Sequence, residues 1–115
     1  MIAVLAAALA GALAAAVRWM LSRAIRAPWA VLVVNVLGSG IGGAVLGLAQ
    51  RGAVSGDIRL ILIGGLCGGI TTFSTWSVET IQLVQDGQWR VAALSVASNL
   101  VLGIGAAALA YAVTV

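Results

Sequence analysis

All nine formal charges of this 115-residue chain, six Arg and three acids, stand in three short zones, residues 18–26, 51–59 and 79–90. The stretches left uncharged are 17, 24, 19 and 25 residues long. A membrane-crossing helix needs about 20 predominantly apolar residues, so the pattern predicts four crossings with short charged turns between them. With 8% charged residues where soluble domains carry about 25%, the chain has too few charges for a water-facing surface. The spans fall at about Ile2–Leu21, Trp29–Gln50, Ile58–Val84 and Trp89–Val113, and Pro28 stands just ahead of the second, where its missing N–H costs nothing. They make residues 1–115 a single all-α membrane domain with no separate soluble module. The opening MIAVLAAALAGALAAA has the small residues of a signal peptide but no basic start, so we expect it to be retained as the first crossing.

Several function classes fall away on composition. The basic excess is loop charge, since six Arg spread over three loops form no stripe for phosphates, and no nucleic-acid partner is expected. There is no His, no Lys and a single Cys, and Asp57, Glu79 and Asp86 form no catalytic pair, so the chain is not expected to be an enzyme. Cys67 lies in an apolar run and reads as packing. With both termini on the side of the 51–59 loop, the other side holds Arg18, Arg23, Arg26 and Arg90 against Arg51 and Arg59. Four against two is a weak orientation signal. Trp19, Trp29 and Trp89 gather at the first side, with Tyr111 near the other, as interfacial anchors.

Glycines four apart, Gly38/Gly42, Gly43/Gly47, Gly64/Gly68 and Gly65/Gly69, predict close helix approach in lipid. Four thin helices enclose little interior, so an oligomer with a glycine-lined interface is expected. The run GGLCGGITTFSTWS, Gly64 to Ser77, puts five hydroxyls, Thr71, Thr72, Ser74, Thr75 and Ser77, at mid-span beside paired glycines. Irregular backbone at membrane depth is tolerated only where protein buries it or it lines a polar cavity, which predicts a broken third helix. Asn35 and Ser39 share one face of the second span, and Ser95, Ser98 and Asn99 one face of the fourth. A carboxamide in lipid must point inward, so Asn35 is a pore candidate or an interhelical tie. Arg18 reads either as a snorkelling interface residue or as functional, and Glu79 either as a span-end residue or as functional. The midplane offers hydroxyls, an amide and ring edges but no titratable group for proton coupling, which favours passive conduction. Phe73 and Trp76 present electropositive ring edges to an anion.

These motifs resemble the CrcB, or Fluc, family of microbial fluoride channels along the whole chain. GALAAAVRW, residues 11–19, is similar to the family's first-helix G-A-x-x-R-Y, and VNVLGSGIGG, residues 34–43, to its V-N-x-x-G-S-F-x-x-G. GGITTFSTWS, residues 68–77, resembles G-G-x-T-T-F-S-T-F, the most specific of the three. The resemblance implies an antiparallel, dual-topology homodimer in the inner membrane with two fluoride pores and a structural sodium ion at its centre. It assigns Asn35, Phe73 and Trp76 to the pore, Ser74 and Thr75 to its polar track, and the backbone carbonyls of Gly68 and Thr71 to sodium. Arg18 and Glu79 match further family positions. Trp76 and Trp19 depart from the usual Phe and Tyr, Gly40 from Phe, and the match at Ser95, Ser98 and Asn99 is loose. The alternative is a small multidrug resistance exporter, which depends on an acid in its first helix; residues 1–17 contain none.

The weak Arg bias predicts insertion in both orientations. A cysteine introduced by Ser55→Cys in a Cys67→Ala background is expected to label from both faces of the membrane in one cell population, and labelling from one face only would defeat the antiparallel arrangement.

Overall fold

Hydrocarbon offers no partner to a free N–H or C=O, so every crossing has to close its backbone hydrogen bonds internally. In the computed structural model, which describes residues 1–115, this is done by helices alone. In order they are α1 (Ile2–Ala24), α2 (Trp29–Gln50), α3 (Gly56–Arg59), a π-helical stretch π1 (Leu60–Cys67), α4 (Gly68–Ile70), α5 (Phe73–Gln85) and α6 (Trp89–Thr114). α3, π1 and α4 run on without a gap and, with α5, make up the third apolar segment. Four segments of 23, 22, 30 and 26 residues are thus long and apolar enough to cross a membrane.

The third segment begins at Gly56, two residues before the expected Ile58, because Ser55 caps it. Its hydroxyl accepts from the Ile58 N–H at 3.2 Å, and Asp57 in the first turn meets the positive end of the helix dipole. α1 runs past Leu21 to Ala24 and stops where Ile25 turns extended. Pro28 occupies the position just ahead of α2. At the far end α2 and α6 are tied by Tyr111 Oη donating to Gln50 Oε1 at 2.7 Å and Arg51 Nη1 to the Thr114 carbonyl at 3.3 Å. At the opposite end Trp19 and Trp89 are exposed, and the Arg23 guanidinium lies 5.5 Å from the Trp19 ring centre.

Packing follows the small residues. α2 lies along α6, and α1 lies along π1 and α4. A Cβ added at Gly43 would stand 2.8 Å from Ala107 Cα, and one at Gly47 2.9 Å from the Tyr111 carbonyl oxygen. On the other seam a Cβ at Gly65 would stand 3.0 Å from Ala7 Cα and one at Gly69 2.8 Å from Gly11 Cα. Gly11 on α1 is the partner that the spacing of the third span alone did not reveal. Gly64 and Gly68 point the other way and are exposed, so the two interleaved pairs of that span serve opposite faces. Ala14, Val34 and Ile70 form the small apolar centre where α1, α2 and α4 meet.

The molecule measures 48 × 29 × 19 Å. Its shortest dimension is about two helix diameters, so the subunit is a two-layer slab with no channel down its own axis. Because backbone, not a flexible side chain, faces Gly43 and Gly69, Gly43→Val and Gly69→Val are each expected to cost about 1–3 kcal/mol through overpacking. Gly105→Ala meets nothing within 4 Å and should be neutral or slightly stabilising. Thermal midpoints of the purified protein in detergent check this, and an unchanged midpoint for Gly43→Val would show that the α2–α6 seam is not closely packed.

Candidate functional site

Between α4 and α5 the backbone leaves helical geometry for two residues. Thr71 sits at φ −80°, ψ 154° and Thr72 at φ −148°, ψ 120°. In a continuous helix the Thr72 N–H would bond the Gly68 carbonyl. Instead it donates to Asn35 Oδ1 at 2.8 Å, while Asn35 Nδ2 returns a hydrogen bond to the Thr72 carbonyl at 3.2 Å. One carboxamide therefore replaces the two backbone partners that Thr72 gives up. Nδ2 is also 3.1 Å from Asn99 Oδ1, and Asn99 Nδ2 donates to the Ser95 carbonyl at 2.8 Å, so α2, the linker and α6 share one amide network.

Side chains of the linker finish the job. Thr72 caps α5, its Oγ1 accepting from the Thr75 N–H at 3.1 Å and bonding the Thr75 hydroxyl at 3.0 Å. The Thr71 hydroxyl donates to the Cys67 carbonyl at 2.9 Å. From α1, Arg18 Nη1 donates to the Thr71 carbonyl at 3.0 Å. Arg18 is thus a tie to the linker and not only a snorkelling residue.

Two cavities flank the linker, and Thr72 borders both. The first, about 320 Å³, is a groove lined by Asn35, Ser39, Thr71, Thr72, Phe73, Trp76, Asn99 and Leu100. Phe73 and Trp76 meet edge to face, ring centres 5.6 Å apart at 63°. The Phe73 side chain is 76% exposed, so the groove opens at the side of the subunit at mid-span. The second, about 220 Å³, lies between α1, α2 and α5 and brings Arg18, Ser22, Thr72, Thr75 and Glu79 together among apolar neighbours. Arg18 and Glu79 share it without forming an ion pair within 4.0 Å, and Glu79 Oε2 is buried with no hydrogen-bond partner.

The sequence-selected residues therefore divide. Asn35, Phe73, Trp76 and Asn99 come together on the groove, while Thr75 turns to the Arg18–Glu79 cavity. Ser74 is exposed, 3.4 Å from the Thr72 hydroxyl. Ser95 is 1% exposed with its Oγ unpartnered, and Ser98 Oγ bonds back to the Leu94 carbonyl; neither lines the groove of the single subunit. The exposed backbone of Gly68 and the carbonyl of Thr71 lie at the linker. Thr72, the junction of both cavities, was only one of five hydroxyls in the sequence. The signal that singles it out is its place three residues ahead of Thr75, as an N-cap after an extended residue.

The chain matches the family described as CrcB-like protein, Camphor Resistance (CrcB), over residues 5–111. A fluoride-specific ion channel FluC of Thermus thermophilus is 42% identical over 110 residues, covering 90% of this chain and 88% of that one. One of Magnetococcus marinus is 44% identical over 108 residues, 87% of each chain. One of Shewanella frigidimarina is 41% identical over 105 residues, covering 86% and 85%. Fold, site and these relatives together define a polytopic membrane protein of the ion-channel class. The chain belongs to the CrcB family.

Proposed function

We propose that this protein is a fluoride-selective channel that lets fluoride leave the cell passively across the inner membrane and so limits its toxicity. The observation that carries this reading is the mid-span groove. It gathers two carboxamides, hydroxyls and the edges of two aromatic rings at the N-terminal end of α5, where the helix dipole is positive. Amide N–H, hydroxyl and ring-edge C–H groups can each turn a positive end to a small anion, and no carboxylate is among the groove-lining residues. Fluoride holds its hydration shell strongly, so a path for it has to replace water with donors of this kind at close range. The names of the relatives, which specify fluoride, support the same ion.

A groove that opens sideways in hydrocarbon has to be covered, because polar groups facing lipid are costly. We infer a homodimer of antiparallel subunits, in which a second copy closes each groove and Ser74, Ser95 and Ser98 complete the two polar paths. The third helix, interrupted at Thr71–Thr72, is the functional break of this reading. Its exposed Gly64 and Gly68 give the partner a surface without side chains.

The same break suits a structural sodium ion. No cluster of His, Cys, Asp or Glu is present, and oxygen atoms of the backbone, hydroxyls and carboxamides are the donors at hand. The Gly68 carbonyl is released from the helical ladder by the Asn35–Thr72 bond, and the Thr71 carbonyl keeps a second lone pair beside its bond from Arg18. Gly68 and Thr71 of two subunits would hold the ion, whose charge would tie the breaks together at the dimer centre. Arg18 fixes the Thr71 carbonyl, and Asn35 fixes the turn that exposes Gly68.

Proteoliposomes test the pore. Phe73→Ile removes a positive ring edge but keeps an apolar side chain of similar bulk, so the dimer is expected to assemble while fluoride efflux falls at least about tenfold, equivalent to 1.4 kcal/mol in the barrier. Asn35→Leu should lose flux too, and stability with it, because the same amide holds Thr72. A Phe73→Ile protein that conducts like the parent would refute the pore assignment.

For sodium, efflux is expected to fall when the ion is replaced by a large organic cation on both sides. A sodium gradient alone should leave fluoride at equilibrium, and uphill fluoride movement would identify a coupled carrier instead.

A further inference from the structure

Most hydrogen-bonding groups around the groove are satisfied within the protein. Asn35 and Asn99 are bonded to Thr72, to each other and to the Ser95 carbonyl, and Thr72 to Thr75. One donor stands out. Trp76 lines the groove beside Phe73 and Asn99, and its indole Nε1 is buried with no hydrogen-bond partner. A buried donor left unsatisfied has lost its bond to water without replacing it, and Trp N–H groups usually find an acceptor when buried. Phenylalanine at this position would fill the space and offer a ring edge without incurring that cost, so the unpaired N–H calls for an occupant that accepts.

We propose that the Trp76 indole N–H is a direct hydrogen-bond donor to the permeating anion and a determinant of selectivity for fluoride in this chain. The inference rests on the fluoride-pore reading and adds a donor of a different chemical kind to it. A ring edge attracts any anion through a diffuse quadrupole, whereas an N–H donor rewards the ion with the highest charge density and the shortest contact distance. Among the nitrogen and oxygen atoms of the groove-lining side chains, Nε1 is the one that is buried with no partner in the protein, so a bond from it to an anion displaces no existing bond. The neighbouring Phe73 ring, edge to face at 5.6 Å, restricts how far the indole swings. Fluoride, the strongest acceptor among the halides, gains most from such a fixed donor, and chloride gains less.

The test separates the N–H from the ring. Trp76→3-benzothienylalanine, introduced by nonsense suppression, keeps the bicyclic shape and replaces N–H by sulfur. The half-saturating fluoride concentration for efflux from proteoliposomes is expected to rise about tenfold or more, and the fluoride-over-chloride preference to shrink with it. In parallel, a protein carrying Trp19→Phe, Trp29→Phe and Trp89→Phe leaves Trp76 as the sole indole. Its emission should shift on titration with sodium fluoride and not with sodium chloride at equal ionic strength. If the parent conducts fluoride, a benzothienyl variant with the parent's half-saturation and selectivity overturns the donor role and leaves the pore reading intact. If that variant does not assemble, an indole emission indifferent to fluoride overturns the role by itself. A parent that conducts no fluoride overturns the pore reading and this inference with it.

Discussion

The carboxamide of Asn35 is the constraint on which the rest of the site depends. A helix cannot stop in mid-membrane unless the backbone groups it releases find other partners. Asn35 supplies both an acceptor and a donor to the same residue, Thr72, at 2.8 and 3.2 Å. No aliphatic side chain can do this, and a carboxylate would supply only the acceptor. Everything that follows from the two extended residues follows from that bond: the fresh N-terminus of α5, the freed carbonyl of Gly68, and the exposure of Phe73.

The glycine seams explain why the amide can reach. Gly43 and Gly47 draw α2 against α6, and Gly65 and Gly69 draw the third segment against Ala7 and Gly11 of α1. At the closest points backbone faces backbone, so the linker lies within one side chain's length of both α1 and α2. Arg18 and Asn35 then hold it from two sides, one at the Thr71 carbonyl and the other at Thr72. Packing without side chains is the main means by which helices associate in lipid. Here it also sets the distances of the polar network.

The linker stands as a partition between unlike environments. The groove with Asn35, Phe73, Trp76 and Asn99 is furnished with donors and ring edges, and its side is open. The cavity with Arg18, Thr75 and Glu79 brings a guanidinium and a carboxyl group together among apolar residues. Thr72 borders both, and its hydroxyl is already bonded to Thr75.

The number of crossings, their approximate limits and the polar mid-span segment were all legible in the order of residues, because they rest on local quantities: the length of uncharged runs, the spacing of glycines and the clustering of Thr and Ser. Asn35 was legible as a residue that had to find a partner. Which partner it finds was not, since Thr72 lies 37 residues away and Asn99 64 residues away. The same holds for Arg18 with Thr71, for the opposite facing of Gly64/Gly68 and Gly65/Gly69, and for Ser95 turning into the packing while Asn99 borders the groove. Periodicity assigns residues to a face of a helix but carries no information on which neighbour that face meets. Composition and spacing therefore determined a four-span helical membrane protein with a polar interruption, and tertiary packing alone decided which polar groups are satisfied within the subunit and which, like the Trp76 N–H, have no partner there.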